Sequence, residues 1–165
     1  MKLQRSAYET DPVENITEAV QALAAAYNRL QDALHADPAT YAHFGETLRA
    51  AMHKPVPIAG EEAPQLSLYE IGVAHAPDKS NNHPGRLSVN ADKLTTALDE
   101  RPADCQTFFS CEDVGLLPRI NHMLTEFKQK NAPAEDALDV YWETIYPPLV
   151  RLTNECRRLQ LFWWD

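Results

Sequence analysis

A chain of 165 residues, 44% of them hydrophobic and 24% charged, has enough apolar material for one core of domain size. Its 24 acidic residues against 15 basic ones give a formal net charge of -9, and the basic residues are scattered, so neither a nucleic-acid footprint nor a patch for anionic membranes is expected. No apolar run approaches the roughly 18 residues of a membrane-spanning helix, and the opening MKLQRSAYETDPVE lacks the apolar centre of a secretory signal peptide, so neither membrane insertion nor Sec-dependent export is expected.

From Val13 the apolar residues Ile16, Val20, Leu23, Tyr27, Leu30 and Leu34 follow in alternating steps of three and four, the signature of a coiled-coil seam or a bundle face. Asp11-Pro12 and Asp37-Pro38 are matching start signals, so one helix ends near Ala36 and a second begins at Pro38. That second helix carries Tyr41, Phe44, Leu48 and Met52 on one face and stops before Pro55 and Pro57. Residues 11–54 are therefore expected to form a helical hairpin, followed by a Pro-, Gly- and Glu-rich connector over 54–65.

Residues 66–110 are expected to hold a β-hairpin and short helices. LSLYEIGVA is predicted to hold a short turn and a strand around Ile71 to Ala74, with Gly72 marking a bend or a close backbone approach, and a second strand is predicted over Arg86 to Val89, joined by the loop-like HAPDKSNNHPG. Asn90 is placed to cap a helix starting at Ala91 and buried through Leu94, Ala97 and Leu98. Arg101-Pro102 breaks that helix and begins another, in which Phe108 and Phe109 are core candidates. Residues 113–162 are expected to be helical. Leu116, Leu117, Ile120, Met123, Leu124 and Phe127 line a helix from about Val114 to Lys130, and Leu138, Trp142, Ile145, Leu149, Leu152, Cys156 and Leu159 form a second heptad seam. Pro147 and Pro148 fall within this seam, so a kink or a short break is predicted there.

Five of these stretches, in order, carry a resemblance: AYNRL (26–30), LSLYEIGV (66–73), GRLSVNADKLTTAL (85–98), RPADCQTFFS (101–110) and GLLPRINHMLTEF (115–127). Together they resemble the C-terminal region of the flagellar hook-associated filament cap (FliD) family, over roughly residues 13 to 130. The matching positions are Tyr27 and Asn28, Leu68 to Val73, Gly85 to Leu98, Phe108 and Phe109, and Gly115, Arg119 and Leu124. Asn90 stands where the family carries an aspartate, the hairpin loop is longer, and the family's proline-free last helix is here interrupted, so a shortened or stand-alone relative of the cap's inner domain is expected. The resemblance implies a non-enzymatic assembly protein of the bacterial flagellum. It would be made in the cytoplasm and exported by the type III route, and would act through helix-mediated contacts with itself, as a possible homo-oligomer, or with flagellin or other export components. A cytoplasmic helical adaptor or chaperone-like binder of such a partner is the alternative.

Rival chemistry is weakly signalled. The six histidines form no H-E-x-x-H or i, i+4 pair, and only His75 and His83, at the two ends of the polar loop, could meet at a metal. Cys105, Cys111 and Cys156 are odd in number and lack C-x-x-C spacing, which argues against a disulfide framework or a structural zinc. Glu61-Glu62 and Asp99-Glu100 are adjacent acids of the kind found on solvated faces, and no glycine-rich phosphate loop occurs. No catalytic residue, cofactor or metal is therefore assigned. The tail LQLFWWD offers Leu161, Phe162, Trp163 and Trp164 either as a partner-binding patch or as a segment folded back on the domain.

The expected fold is α+β and mostly α: a single domain in which antiparallel N- and C-terminal helices lie lengthwise, with a small hairpin and short helices at one end.

Overall fold

Two proline-led helices open the chain in the computed structural model, which describes residues 12–36, 38–58, 65–75, 86–112, 114–130 and 141–163. Helix α1 spans Pro12–His35 and α2 spans Pro38–His53. The seam on α1 is the centre of the molecule: Ile16, Val20, Leu23, Tyr27, Leu30 and Leu34 are all buried. Gln31 ties the two helices together, its amide donating to the Gly45 carbonyl at 2.9 Å and to the Tyr27 hydroxyl at 3.1 Å. The expected caps Asp11 and Asp37 lie outside the described residues.

The two ends of the connector pair with each other. Strand β1 (Val56–Pro57) pairs antiparallel with β2 (Gln65–Leu66), Val56 opposite Leu66. Both of those side chains are buried, and that burial pins so short a ladder. Next comes a 3-10 turn, Tyr69–Ile71, in the stretch where a short turn was expected ahead of the strand. The Leu68 carbonyl accepts from both the Ile71 and Val73 amides, so the backbone turns before it extends. Gly72 makes the turn with φ of +100°, a region costly for any residue with a Cβ. Strand β3 (Val73–His75) then pairs antiparallel with β4 (Leu87–Val89) in the register Val73 to Val89, Ala74 to Ser88 and His75 to Leu87.

Helix α3 (Ala91–Glu100) starts where the cap predicts, with Asn90 Oδ1 accepting from the Lys93 amide at 3.1 Å. Helix α4 (Pro102–Ser110) follows after Arg101. Helix α5 (Leu116–Lys130) begins two residues later than expected. A close turn precedes it: the Gly115 amide donates to the Cys111 carbonyl at 2.8 Å, and a Cβ at Gly115 would meet that backbone at 2.6 Å. A π-helical turn, Tyr141–Ile145, leads into helix α6 (Tyr146–Gln160), and a 3-10 turn, Leu161–Trp163, ends the described chain.

Where a kink or a short break was expected, the helix type changes instead: the π-helical turn gives way to α6 at Tyr146, immediately before Pro147 and Pro148. Both prolines occupy the first turn of α6, where backbone N–H groups lack intrahelical partners in any case, so the missing donors break nothing. The seam runs on across them, with Ile145, Leu149, Leu152, Cys156 and Leu159 all buried. This stripe packs chiefly against α1, and α6 also touches α5, which in turn packs on α2 and α4. The fold is thus α+β and mostly α, six helices with two small antiparallel ladders among the described residues. Leu138 and the Trp142 side chain, expected in the second seam, lie outside what is described.

Buried side chains from every helix form one cluster. Phe44 stacks on Phe127 at 4.0 Å, with Tyr41 edge-on to the same ring at 6.1 Å. Of the residues expected in the core, Tyr27, Leu94, Phe108 and Ile120 are each at most 1% exposed. Truncating Leu94 to alanine is expected to lower the unfolding free energy by about 2–5 kcal/mol, read as a shift in urea midpoint with the slope unchanged. A loss below about 0.5 kcal/mol would place α3 on the outside.

Candidate protein-interaction surfaces

Residues from three of the five motif stretches, AYNRL, LSLYEIGV and GRLSVNADKLTTAL, meet at one junction between α1 and the β3–β4 hairpin. Asn28, on α1, faces the edge of β4 opposite its β3 partner. Its side-chain amide accepts from the Leu87 amide at 2.7 Å and donates to the Leu87 carbonyl at 3.0 Å. One amide side chain thus supplies both hydrogen bonds that a neighbouring strand would supply, and closes an edge otherwise open to pairing. Arg86 adds an ion pair to Asp32 of α1 at 3.6 Å, half exposed on both sides and so of small energetic weight. Below the clamp, the Asn90 amide donates to the Gly72 carbonyl at 2.7 Å. A Cβ at Gly72 would lie 2.9 Å from the Leu94 amide nitrogen, so α3 and the turn meet backbone to backbone there. Lys93 covers the outside, its ammonium 4.5 Å from the centre of the exposed Tyr69 ring and donating to the Tyr69 carbonyl at 3.0 Å.

Burial also sets the acid–base chemistry of the interior. It pushes the Tyr27 phenol up to about 12, partly offset by the Gln31 hydrogen bond and by Arg49. The Cys105 thiol rises to about 11, mainly through burial, and the Cys156 thiol to about 12, through burial and the nearby Glu155. These thiols are protonated core groups at neutral pH and poor nucleophiles, whereas Cys111 is half-buried. All three raised values lie above the unfolded ones of 9.0 and 10.0. The folded chain therefore keeps protons that the unfolded chain releases, and this contribution to stability is complete below pH 9 and lost as pH rises toward 11–12. Denaturant midpoints are expected to fall progressively above pH 9, and a thiol reagent at pH 8 to label Cys111 alone until the chain is unfolded. Equal labelling of all three cysteines in the folded chain would contradict the burial.

The tail residues divide. Trp163 is 8% exposed and stacks on Phe109 at 5.3 Å, with Phe109 edge-on to Phe108 at 5.0 Å. Phe162 is half-buried against the core and Leu161 is 68% exposed. Trp164 lies outside the described residues, as do His83 and the side chain of His75. Of the candidate patch, then, Leu161 is the member presented openly to a partner, and Trp163 is part of the domain's interior.

Two open grooves flank α1. One, between α1 and α3, is lined by Glu14, Glu18 and Asp99 with Thr17 and Thr95. The other, about 520 Å³, lies between the last turns of α1 and the start of α6 and is lined by Arg29, Ala33, Thr144, Pro147, Pro148, Val150, Arg151 and Asn154. The end of α1 meeting the beginning of α6 is the pairing of helices that run in opposite directions. Sequence periodicity could not find this second groove, because Arg29 and Arg151 are exposed residues on different helices and only packing brings them together.

Among the described residues no three His, Cys, Asp or Glu side chains come together in a way that could hold a metal ion, and no helix is long and apolar enough to cross a membrane. No family model matches this chain, and no curated protein or solved structure matches it.

Proposed function

We propose that this chain is a non-enzymatic assembly protein of the flagellar filament cap type, working through helix-mediated protein contacts. The observation that supports this most is the convergence of three of the five resembling motifs. Asn28 on α1, the turn at Gly72, and the stretch from Leu87 to Leu94 come from three separate parts of the sequence yet form one bonded junction. Residues chosen only for resemblance have no reason to touch, whereas pieces of one inherited architecture do. Assembly would proceed from the outer faces, since the two heptad seams are buried against each other within the chain.

That internal pairing also favours the second reading, a helical adaptor or chaperone-like binder that remains monomeric or dimeric and holds a flagellar or export partner. Sedimentation velocity over a wide concentration range, alone and with flagellin, separates the two. A ring-sized oligomer supports the cap-like role, and a small species that co-sediments with flagellin supports the adaptor. A monomer that binds neither itself nor flagellin would overturn both.

A further inference from the structure

We propose that the groove between α1 and α6 is a docking site for an acidic, extended peptide segment of a partner protein, with carboxylates of that segment held by Arg29 and Arg151. The inference rests on the reading of this chain as a protein-binding module and names the chemistry of what it binds.

The argument begins with charge. The chain carries a net charge of -9, yet no acidic side chain lines this groove. Four arginines elsewhere are matched, Arg86 with Asp32, Arg101 with Asp104, Arg158 with Glu155, and Arg119 with the Lys54 carbonyl, whereas Arg49 and Arg157 stand singly outside both grooves. Arg29 and Arg151 have no hydrogen-bond or ion-pair partner among the described residues, although they border the same recess. The nearest candidate on α1, Asp32, is engaged by Arg86. Two guanidinium groups with ten N–H donors between them therefore border one concavity unmatched, the arrangement suited to forked recognition of carboxylates.

Shape and lining narrow the occupant. A groove of about 520 Å³ is within the range of roughly 300–1,000 Å³ typical of ligand sites. Its lining includes the apolar Ala33, Pro147, Pro148 and Val150 together with Asn154. The prolines carry no backbone N–H, so this wall does not compete for the ligand's own backbone acceptors. An alternating acidic and apolar segment satisfies both features, because successive side chains of an extended chain point to opposite sides. A nucleic acid would bring phosphates to the two arginines but meet the acidic surface everywhere else.

The test uses the full chain and a fluorescein-labelled octapeptide of alternating Glu and Leu, followed by fluorescence polarisation. Saturable binding is expected that weakens about tenfold with each of Arg29→Glu and Arg151→Glu, and that falls steeply as salt is raised. Arg157→Glu, on the same helix but outside the groove, should leave it unchanged, and melting curves of all variants should match the parent because the three side chains are exposed. The Gln/Leu version of the peptide should not bind. Absence of saturable binding, binding that survives in the R29E/R151E double variant, or stronger binding of an eight-residue oligonucleotide than of the acidic peptide would each overturn the proposal. Loss of the peptide result with flagellin capture intact would sink the groove alone, leaving the assembly reading standing.

Discussion

Asn28→Leu is expected to destabilise the domain by about 2–4 kcal/mol while leaving α1 itself helical. Leucine preserves the bulk of the side chain and the helix propensity of the site but removes both hydrogen bonds to Leu87. Orphaning a part-buried N–H and C=O costs about 1–3 kcal/mol for each group, reduced here where solvent reaches the edge. The readouts are the urea midpoint and hydrogen exchange at residues 87–89, where protection should drop selectively. Asn28→Asp separates the two bonds: the carboxylate still accepts from the Leu87 amide but places charge against the Leu87 carbonyl, so an intermediate loss is expected. If neither substitution moves stability by more than about 0.5 kcal/mol, β4 is held by β3 alone.

Trp163→Ala should be at least as damaging, at about 3–5 kcal/mol, the range for deleting a buried large aromatic side chain. The indole is 8% exposed and stacks on Phe109, which is itself fully buried beside Phe108. Its removal would open a cavity under the last turn, and the 3-10 segment Leu161–Trp163 would lose its anchor. Leu161→Ala, by contrast, is expected to change stability little, because that side chain is 68% exposed. If Trp163→Ala were as mild as Leu161→Ala, the tail would be a detachable patch and its role as an adhesive arm would regain force.

The helices were legible because their signals are local and redundant. Proline at the first helical position, Asn90 as a cap, and two stripes in steps of three and four each fix an element without reference to anything distant. The misreadings come from the opposite situation. A short turn before the strand, and a bend or close approach at Gly72, were expected, but the turn's form was not legible: the Leu68 carbonyl bonds two amides and holds the preceding residues in a 3-10 turn, an arrangement no periodicity encodes. The ladder Val56–Pro57 with Gln65–Leu66 exists because the core buries Val56 and Leu66, which composition could not show. Pro147 and Pro148 read as helix breakers because sequence does not tell the first turn of a helix from its middle.

The surfaces were harder still. The tyrosine–asparagine pair in α1 stood out only by resemblance, and its mechanical meaning needed the register of β4 to be known. The Trp-rich tail was ambiguous for a simple physical reason: an aromatic cluster at a chain end is equally favourable against its own core or against another protein, since burial of apolar area is non-directional. Phe109 offers the stacking partner that decides the matter for Trp163.

The central physical claim is that the seams of α1 and α6 form one cooperative unit closed by the Asn28 clamp. Native-state hydrogen exchange tests it most directly. Amides of 20–34 and 149–159 should exchange last and together, through the same opening that unfolds the whole domain and with the same denaturant dependence. Exchange of the 149–159 amides well before those of 20–34, with a shallower denaturant dependence, would show that α6 detaches on its own, and the account of the fold and of the groove between the two helices would fail with it.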